Sequence, residues 1–214
     1  MPQVDECVAQ CLPEFKHINH YWDKDRDIVV AKILPGEFYA TVNRVAIATT
    51  LGSCISACIW DDKTHVGGMN HFMLPATDKE LHEVNWGKRN NLSDATRYGN
   101  FAMEHLINTI LKNGGRKANL KVKLFGGGKV LRKMSDVGER NIEFVLNYLE
   151  QEGLSVETAD VGDVYPRKVL FDPSTGKVMV KRLTNLQNDT IIKRETDYRH
   201  QIVADDVDGD IELF

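Results

Sequence analysis

One apolar stretch of this 214-residue chain holds threonine, cysteine and, a little further on, histidine. Sixteen uncharged residues run from Val45 to Trp60, and Thr49-Thr50-Leu51-Gly52-Ser53-Cys54 lies in their middle. His71 follows after a polar turn, Asp61-Asp62-Lys63-Thr64. A deprotonated cysteine is a strong nucleophile, and an adjacent imidazole both promotes ionisation and later hands a proton to the leaving group. Glycine at position 52 lets the backbone bend and approach a substrate closely. The N–H groups exposed at such a bend suit an oxyanion. Either Thr49 or Thr50 could orient the imidazole or contact a substrate amide. The plainer reading makes Cys54 one more small buried hydrophobe, His71 a satisfied structural histidine and the threonines simple strand formers.

These groups have to be positioned by a β-hairpin. The apolar run reads as buried strand broken at Gly52-Ser53, and a second run from His65 to Leu74 leads away from the turn. A two-residue loop at Asp62-Lys63 or a four-residue loop over 61–64 sets the same register. Either places Cys54 opposite His71 and Cys58 opposite Gly67. Directly opposed side chains have Cβ atoms about 4.5–5.5 Å apart, within range of a thiol–imidazole contact. A one-residue bulge would turn one of them to the other face.

Other candidates are weaker. Cys58 lies deeper in the strand and reads as core, His65 is exposed by the turn, and His105 falls on the inner part of a helix. Cys7, Cys11, His17 and His20 superficially suggest zinc, but the gap from second cysteine to first histidine is much shorter than in a zinc finger. A helical or poorly ordered N-terminal extension is the better account. Gly126-Gly127-Gly128-Lys129 lacks the spacing of a phosphate loop and reads as a tight turn or close backbone packing near the site. Asp206-x-Asp208-Gly209-Asp210 has its glycine misplaced for a calcium loop and reads as solvated tail. No metal and no organic cofactor is expected.

The composition is that of an ordinary soluble globular protein, 42% hydrophobic and 27% charged. A net charge of −4 without a basic block argues against general nucleic-acid binding. The first fifteen residues lack the basic and apolar regions of a signal peptide, and the run 45–60 is too short and polar to span a bilayer. Four free cysteines fit a cytoplasmic protein. Strands are expected at Ile28–Ala31, Glu37–Val42, Lys121–Phe125, Ser155–Val161, Lys168–Phe171 and Lys177–Leu183, the last two joined by the turn Asp172–Gly176. A surface loop is expected over 76–93, including Asn90-Asn91. One helix is capped by Ser93 or Asp94 and ends at Gly114-Gly115, with Tyr98, Phe101, Ala102, His105 and Ile110 on its apolar stripe. A second covers roughly Gly138 to Gln151. The layout is α+β, with layered β-sheets and flanking helices. It divides into an N-terminal extension (1–26), a central domain (27–193) and an acidic tail (194–214).

With these residues in hand, the chain resembles the CheD family of chemoreceptor glutamine deamidases. The resemblance rests on Leu51-Gly52-Ser53-Cys54 with Cys58, and on Gly67-Gly68-Met69-Asn70-His71-Phe72-Met73-Leu74-Pro75. It continues through Arg97-Tyr98-Gly99, Phe125-Gly126-Gly127-Gly128, Gly138-Glu139-Arg140-Asn141 and Arg167-Lys168-Val169. It covers roughly Ile28 to Leu183; Asp160-Val161-Gly162-Asp163 departs from the family's Asp-Leu-Gly-Gly. The resemblance implies a Cys-His-Thr site related to that of deamidating toxins. Cys54 would be nucleophile, His71 base and Thr49 the third member, with Thr50 second. Substrate contacts are expected at Gly52, Ser53, Thr50 and Asn70. The implied partners are the cytoplasmic helices of chemoreceptors and a CheC-type phosphatase.

Overall fold

A computed structural model describes residues 2–74, 94–130, 137–184 and 189–204. The elements in chain order are α1 (Pro2–Gln10), β1 (Asn19–Asp23), β2 (Ile28–Lys32), β3 (Phe38–Thr41), β4 (Val45–Leu51), β5 (Ile55–Asp61) and β6 (Gly67–Asn70). They continue with α2 (Asp94–Lys112), β7 (Leu120–Gly126), α3 (Val137–Gln151), β8 (Val156–Val161), β9 (Arg167–Asp172), β10 (Lys177–Arg182) and α4 (Asp189–Ala204). The expected loop 76–93, Pro75, Ser93 and the Asp206–Asp210 segment lie outside the described residues. Among the described residues, no helix is long and apolar enough to cross a membrane.

The strands form two five-stranded mixed sheets, ordered β1-β2-β4-β9-β10 and β3-β6-β5-β7-β8. Alternation along the first sheet separates its faces. Val29, Ala31, Val45, Ile47, Val169 and Phe171 turn toward the second sheet and join the main core. Val30, Ala46, Ala48 and Leu170 make a separate cluster on the other face. Trp60 of the second sheet meets Phe171 of the first, ring centroids 5.9 Å apart. β5 is buried along its whole length, because α2 and α3 cover the face that the first sheet leaves open. That is the α+β layering the sequence implied, with two additions. Asn19–Asp23, within the stretch read as an extension, pairs with β2 as an edge strand. The tail contributes α4.

The hairpin forms, in a different register. Cys58 faces Met69 and Trp60 faces Gly67, with Ile55 bridging Phe72. The shift from the expected pairing is two residues, so every side chain keeps its face. Its cause is the turn: Asp61 N–H bonds the Val66 carbonyl at 2.8 Å, while the Asp61 carboxylate accepts the N–H groups of Lys63 and Thr64 at 2.7 and 2.9 Å. His65 takes a left-handed conformation, φ +63°, and the loop is 62–65.

The inner face of α2 is also rotated from expectation. Met103, Leu106, Ile107 and Ile110 are buried, whereas Phe101 is 60% exposed and His105 lies exposed, stacked on Phe101 at 4.0 Å. The pivot is Gly99, where a Cβ would strike Phe144 of α3. Close approach at Gly99 brings the line 99–103–106–110 inward and leaves Phe101 and His105 at the side.

Candidate active site

β4 belongs to the first sheet and β5 to the second, so the chain changes sheets at Gly52-Ser53-Cys54. The scaffold grips this turn by its carbonyls. Gly128 N–H donates to Gly52 O at 2.7 Å and Gly127 N–H to Cys54 O at 2.7 Å. The Asn141 side-chain amide donates to Ser53 O at 2.8 Å, and its oxygen accepts the Leu74 N–H at 2.9 Å. With all three carbonyls fixed behind it, the turn presents the N–H groups of Gly52, Ser53 and Cys54 on its other side. Gly126, Gly127 and Gly128 are therefore close backbone packing. Gly126 has φ +117°, and a Cβ there would collide with the Cys54 carbonyl.

His71 follows β6 and is held through its backbone. Its N–H donates to Glu37 O at 2.9 Å, and its carbonyl accepts the Gly36 N–H at 2.8 Å. Thr49, on the inward face of β4, reaches the ring from the opposite sheet. Its hydroxyl donates to Ile33 O at 2.9 Å and stands 2.7 Å from His71 Nδ1. The single hydroxyl proton is spent on the carbonyl, so Thr49 accepts from Nδ1–H and the lone pair falls on Nε2. Nε2 has no hydrogen-bond partner among the described residues. Burial, reinforced by the nearby Arg194 charge, lowers the pKa of His71 to about 3, so the ring is neutral.

Cys54 Sγ, a ring nitrogen of His71 and a carboxylate oxygen of Glu195 all lie within 4.8 Å of one another. The fold thus brings Cys54, His71 and Thr49 together. Thr50 sits on the alternate face of β4, opposite Lys168. Asn70 faces inward: its oxygen accepts the Ala57 N–H at 2.8 Å and its amide donates to Ala102 O at 3.1 Å. Gly52 and Ser53 line the cradle itself. Cys58 is fully buried, and His65 is exposed. Both nitrogens of His20 are engaged, by Ile18 O and the Tyr39 hydroxyl. No Cys7–Cys11–His17–His20 cluster forms among the described residues.

Glu195 was not legible as a site residue. It stands on α4 and is 2% exposed. One carboxylate oxygen accepts the N–H groups of Gly52 and Cys54 at 2.8 and 3.2 Å. The other accepts the N–H and hydroxyl of Ser53 at 2.9 and 2.6 Å. These four bonds make the turn an anion cradle, and the Cys54 thiol bonds the same carboxylate. The Cys54 thiol is pushed well above its ordinary pKa, by burial first and then by the Glu195 charge. In this arrangement the sulfur is a covered, protonated thiol.

Comparison with known proteins gives a consistent picture. Residues 73–182 match a family model described as CheD chemotactic sensory transduction. A protein of Halorhodospira halophila named probable chemoreceptor glutamine deamidase CheD is 51% identical, over 97% of this chain and 94% of its own. Proteins of the same name from Hahella chejuensis and Methylobacillus flagellatus are 50% and 49% identical, over 95% and 97% of this chain and 93% and 100% of theirs.

Proposed function

This chain belongs to the CheD family, and from that premise we propose that it converts glutamine side chains of chemoreceptors to glutamate. The reading is carried by one observation: a cysteine, a neutral imidazole with a free nitrogen, and a backbone anion cradle meet at a single turn.

The chemistry follows from those groups. Nε2 of His71 takes the Cys54 proton, and the thiolate attacks the carboxamide carbon of the substrate glutamine. Charge developing on the carboxamide oxygen is met by N–H groups of Gly52, Ser53 and Cys54, already aimed by their fixed carbonyls. His71 returns its proton to the departing ammonia and leaves a thioester. It then draws a proton from water, whose attack releases glutamate and restores the thiol. Thr49 keeps Nδ1 protonated throughout, so the base lone pair stays on Nε2. Each turnover adds one negative charge to the receptor helix and requires no cofactor. With such helices as substrate, the reaction belongs to the cytoplasm. Binding of a CheC-type phosphatase belongs to the same reading.

A chemoreceptor cytoplasmic fragment incubated with the protein should gain about one dalton at each modified glutamine. Cys54→Ala should abolish that gain. An unmodified fragment that still binds the wild-type chain would make the protein an adaptor.

A further inference from the structure

We propose that α4 is a resident occupant of the active site, in which Glu195 holds the place of the product glutamate. A glutamine at position 195 would then be deamidated by Cys54 of the same molecule. The proposal rests on the deamidase reading above and adds what fills the site in the absence of substrate.

Chemical identity comes first. A glutamine deamidase leaves a glutamate side chain beside its cysteine, and Glu195 is such a side chain in that position. Both its oxygens lie in the cradle that would stabilise the oxyanion, on the N–H groups of Gly52, Ser53 and Cys54 and on the Ser53 hydroxyl. Close fit is evident at Gly52, where a Cβ would stand 2.8 Å from each carboxylate oxygen.

Glu195 does not take the part of a catalytic acid. An orienting carboxylate in a cysteine–histidine site bonds the far nitrogen of the imidazole, and here Thr49 holds that nitrogen. A negative charge beside the sulfur also opposes formation of the thiolate. The group therefore occupies the site without assisting it.

The helix is attached in a way that permits exchange. Ile191, Arg194, Glu195 and Tyr198 fall on one face, at the spacing of successive turns. Of the described α4 side chains only Glu195 is buried, so the anchor is a polar contact that a substrate can reproduce. Tyr198 braces the other end: its hydroxyl meets that of Tyr98, and its ring lies against Gly36, whose N–H bonds the His71 carbonyl. One helix thus touches both the nucleophile turn and the segment that holds the base. Its pose shows that a side chain carried on a helix reaches the cradle.

In Glu195→Gln the step balances without redox chemistry. Cys54 Sγ bonds the side-chain carbonyl carbon of the introduced amide, the carbon–nitrogen bond breaks, and ammonia leaves with a proton relayed by His71. Water cleaves the thioester, regenerating the thiol and leaving glutamate at position 195.

The test uses the full chain. Glu195→Gln is followed by mass spectrometry of the peptide containing position 195, beside a Cys54→Ala/Glu195→Gln double variant. The expected result is a gain of about one dalton, first-order and independent of protein concentration, and absent from the double variant. In Glu195→Ala, alkylation of Cys54 by iodoacetamide should accelerate about tenfold or more, and KM for the chemoreceptor fragment should fall by a similar factor. If wild type deamidates the fragment while the amide introduced by Glu195→Gln persists and Glu195→Ala alkylates no faster, the proposal is overturned and the deamidase reading stands. If neither the fragment nor that introduced amide is converted, the deamidase reading fails and the proposal falls with it.

Discussion

The state of the imidazole is decided by a hydroxyl from another sheet. Thr49 gives its only proton to Ile33 O and so receives one from Nδ1 of His71. Thr49→Val keeps the shape and removes the acceptor. The deamidation rate on a receptor fragment should then fall about tenfold to a hundredfold in kcat, with KM little changed. Burial of the ring has a second effect. Its pKa is about 3 in the folded protein against an ordinary 6.5. Between those values the unfolded chain binds a proton that the folded chain does not. The stability contribution is therefore complete above about pH 6.5 and is lost as pH falls toward 3, by roughly 1.4 kcal/mol per pH unit. Urea midpoints measured from pH 7 to 4.5 should show this slope in wild type and lose it in His71→Gln. Cys54 and His71 were legible because a glycine bend and a hairpin put them on one face. Thr49 and Thr50 are distinguished only by strand alternation. Glu195 had no such signal, since a glutamate among Lys193, Arg194 and Asp197 reads as one more solvated charge.

Turns rather than strands set the precision of the site. The Asp61 carboxylate, fully buried, would be raised by burial, but the N–H groups of Thr64, Arg116 and Lys63 and the Asn119 amide hold it at about 2. Its contribution, on the order of 2 kcal/mol, is present above its ordinary 3.8 and is lost as pH falls through about 2. Asp61→Ala should therefore lower the urea midpoint at neutral pH and flatten the acid transition below pH 4. The same carboxylate explains the difference in hairpin register: its bonds to Lys63 and Thr64 keep Asp61 in the strand pairing and start the four-residue loop one position later, at 62, which residue spacing does not encode. Helices α2 and α3 were both expected close to their observed bounds, yet the rotation of α2 depended on the contact between Gly99 and Phe144. Helix α4 was not legible at all, because its buried residue is a carboxylate and hydrophobic periodicity has nothing to register.

At the scale of the molecule, two sheets have to stay in register for the site to exist. Thr49 comes from one and His71 follows a strand of the other, and Cys54 lies where the chain crosses between them. Arg167 of β9 fastens the crossing. Its guanidinium is fully buried, donating to Gly126 O at 2.5 Å and Gly162 O at 2.8 Å, with Asp160 at 3.3 Å. A lysine cannot reproduce that fork. Arg167→Lys should cost about 3 kcal/mol in chemical denaturation and reduce activity, since Gly126 backs the turn that carries Cys54.

Complete burial of the Cys54 sulfur also bears on how the protein ages. Peroxide attacks thiolates that it can reach, and this thiol is neither ionised nor reachable while α4 is seated. Cys7 and Cys11, half-buried near the N-terminus, should be oxidised first when the protein is titrated with hydrogen peroxide, and Cys54 should follow only when the helix is displaced or Glu195 replaced by alanine. On the proposal above, a molecule with α4 seated is thereby spared the sulfenic acid and the irreversible sulfinic acid that can follow it, and the risk of oxidation is confined to the moments when the helix is displaced.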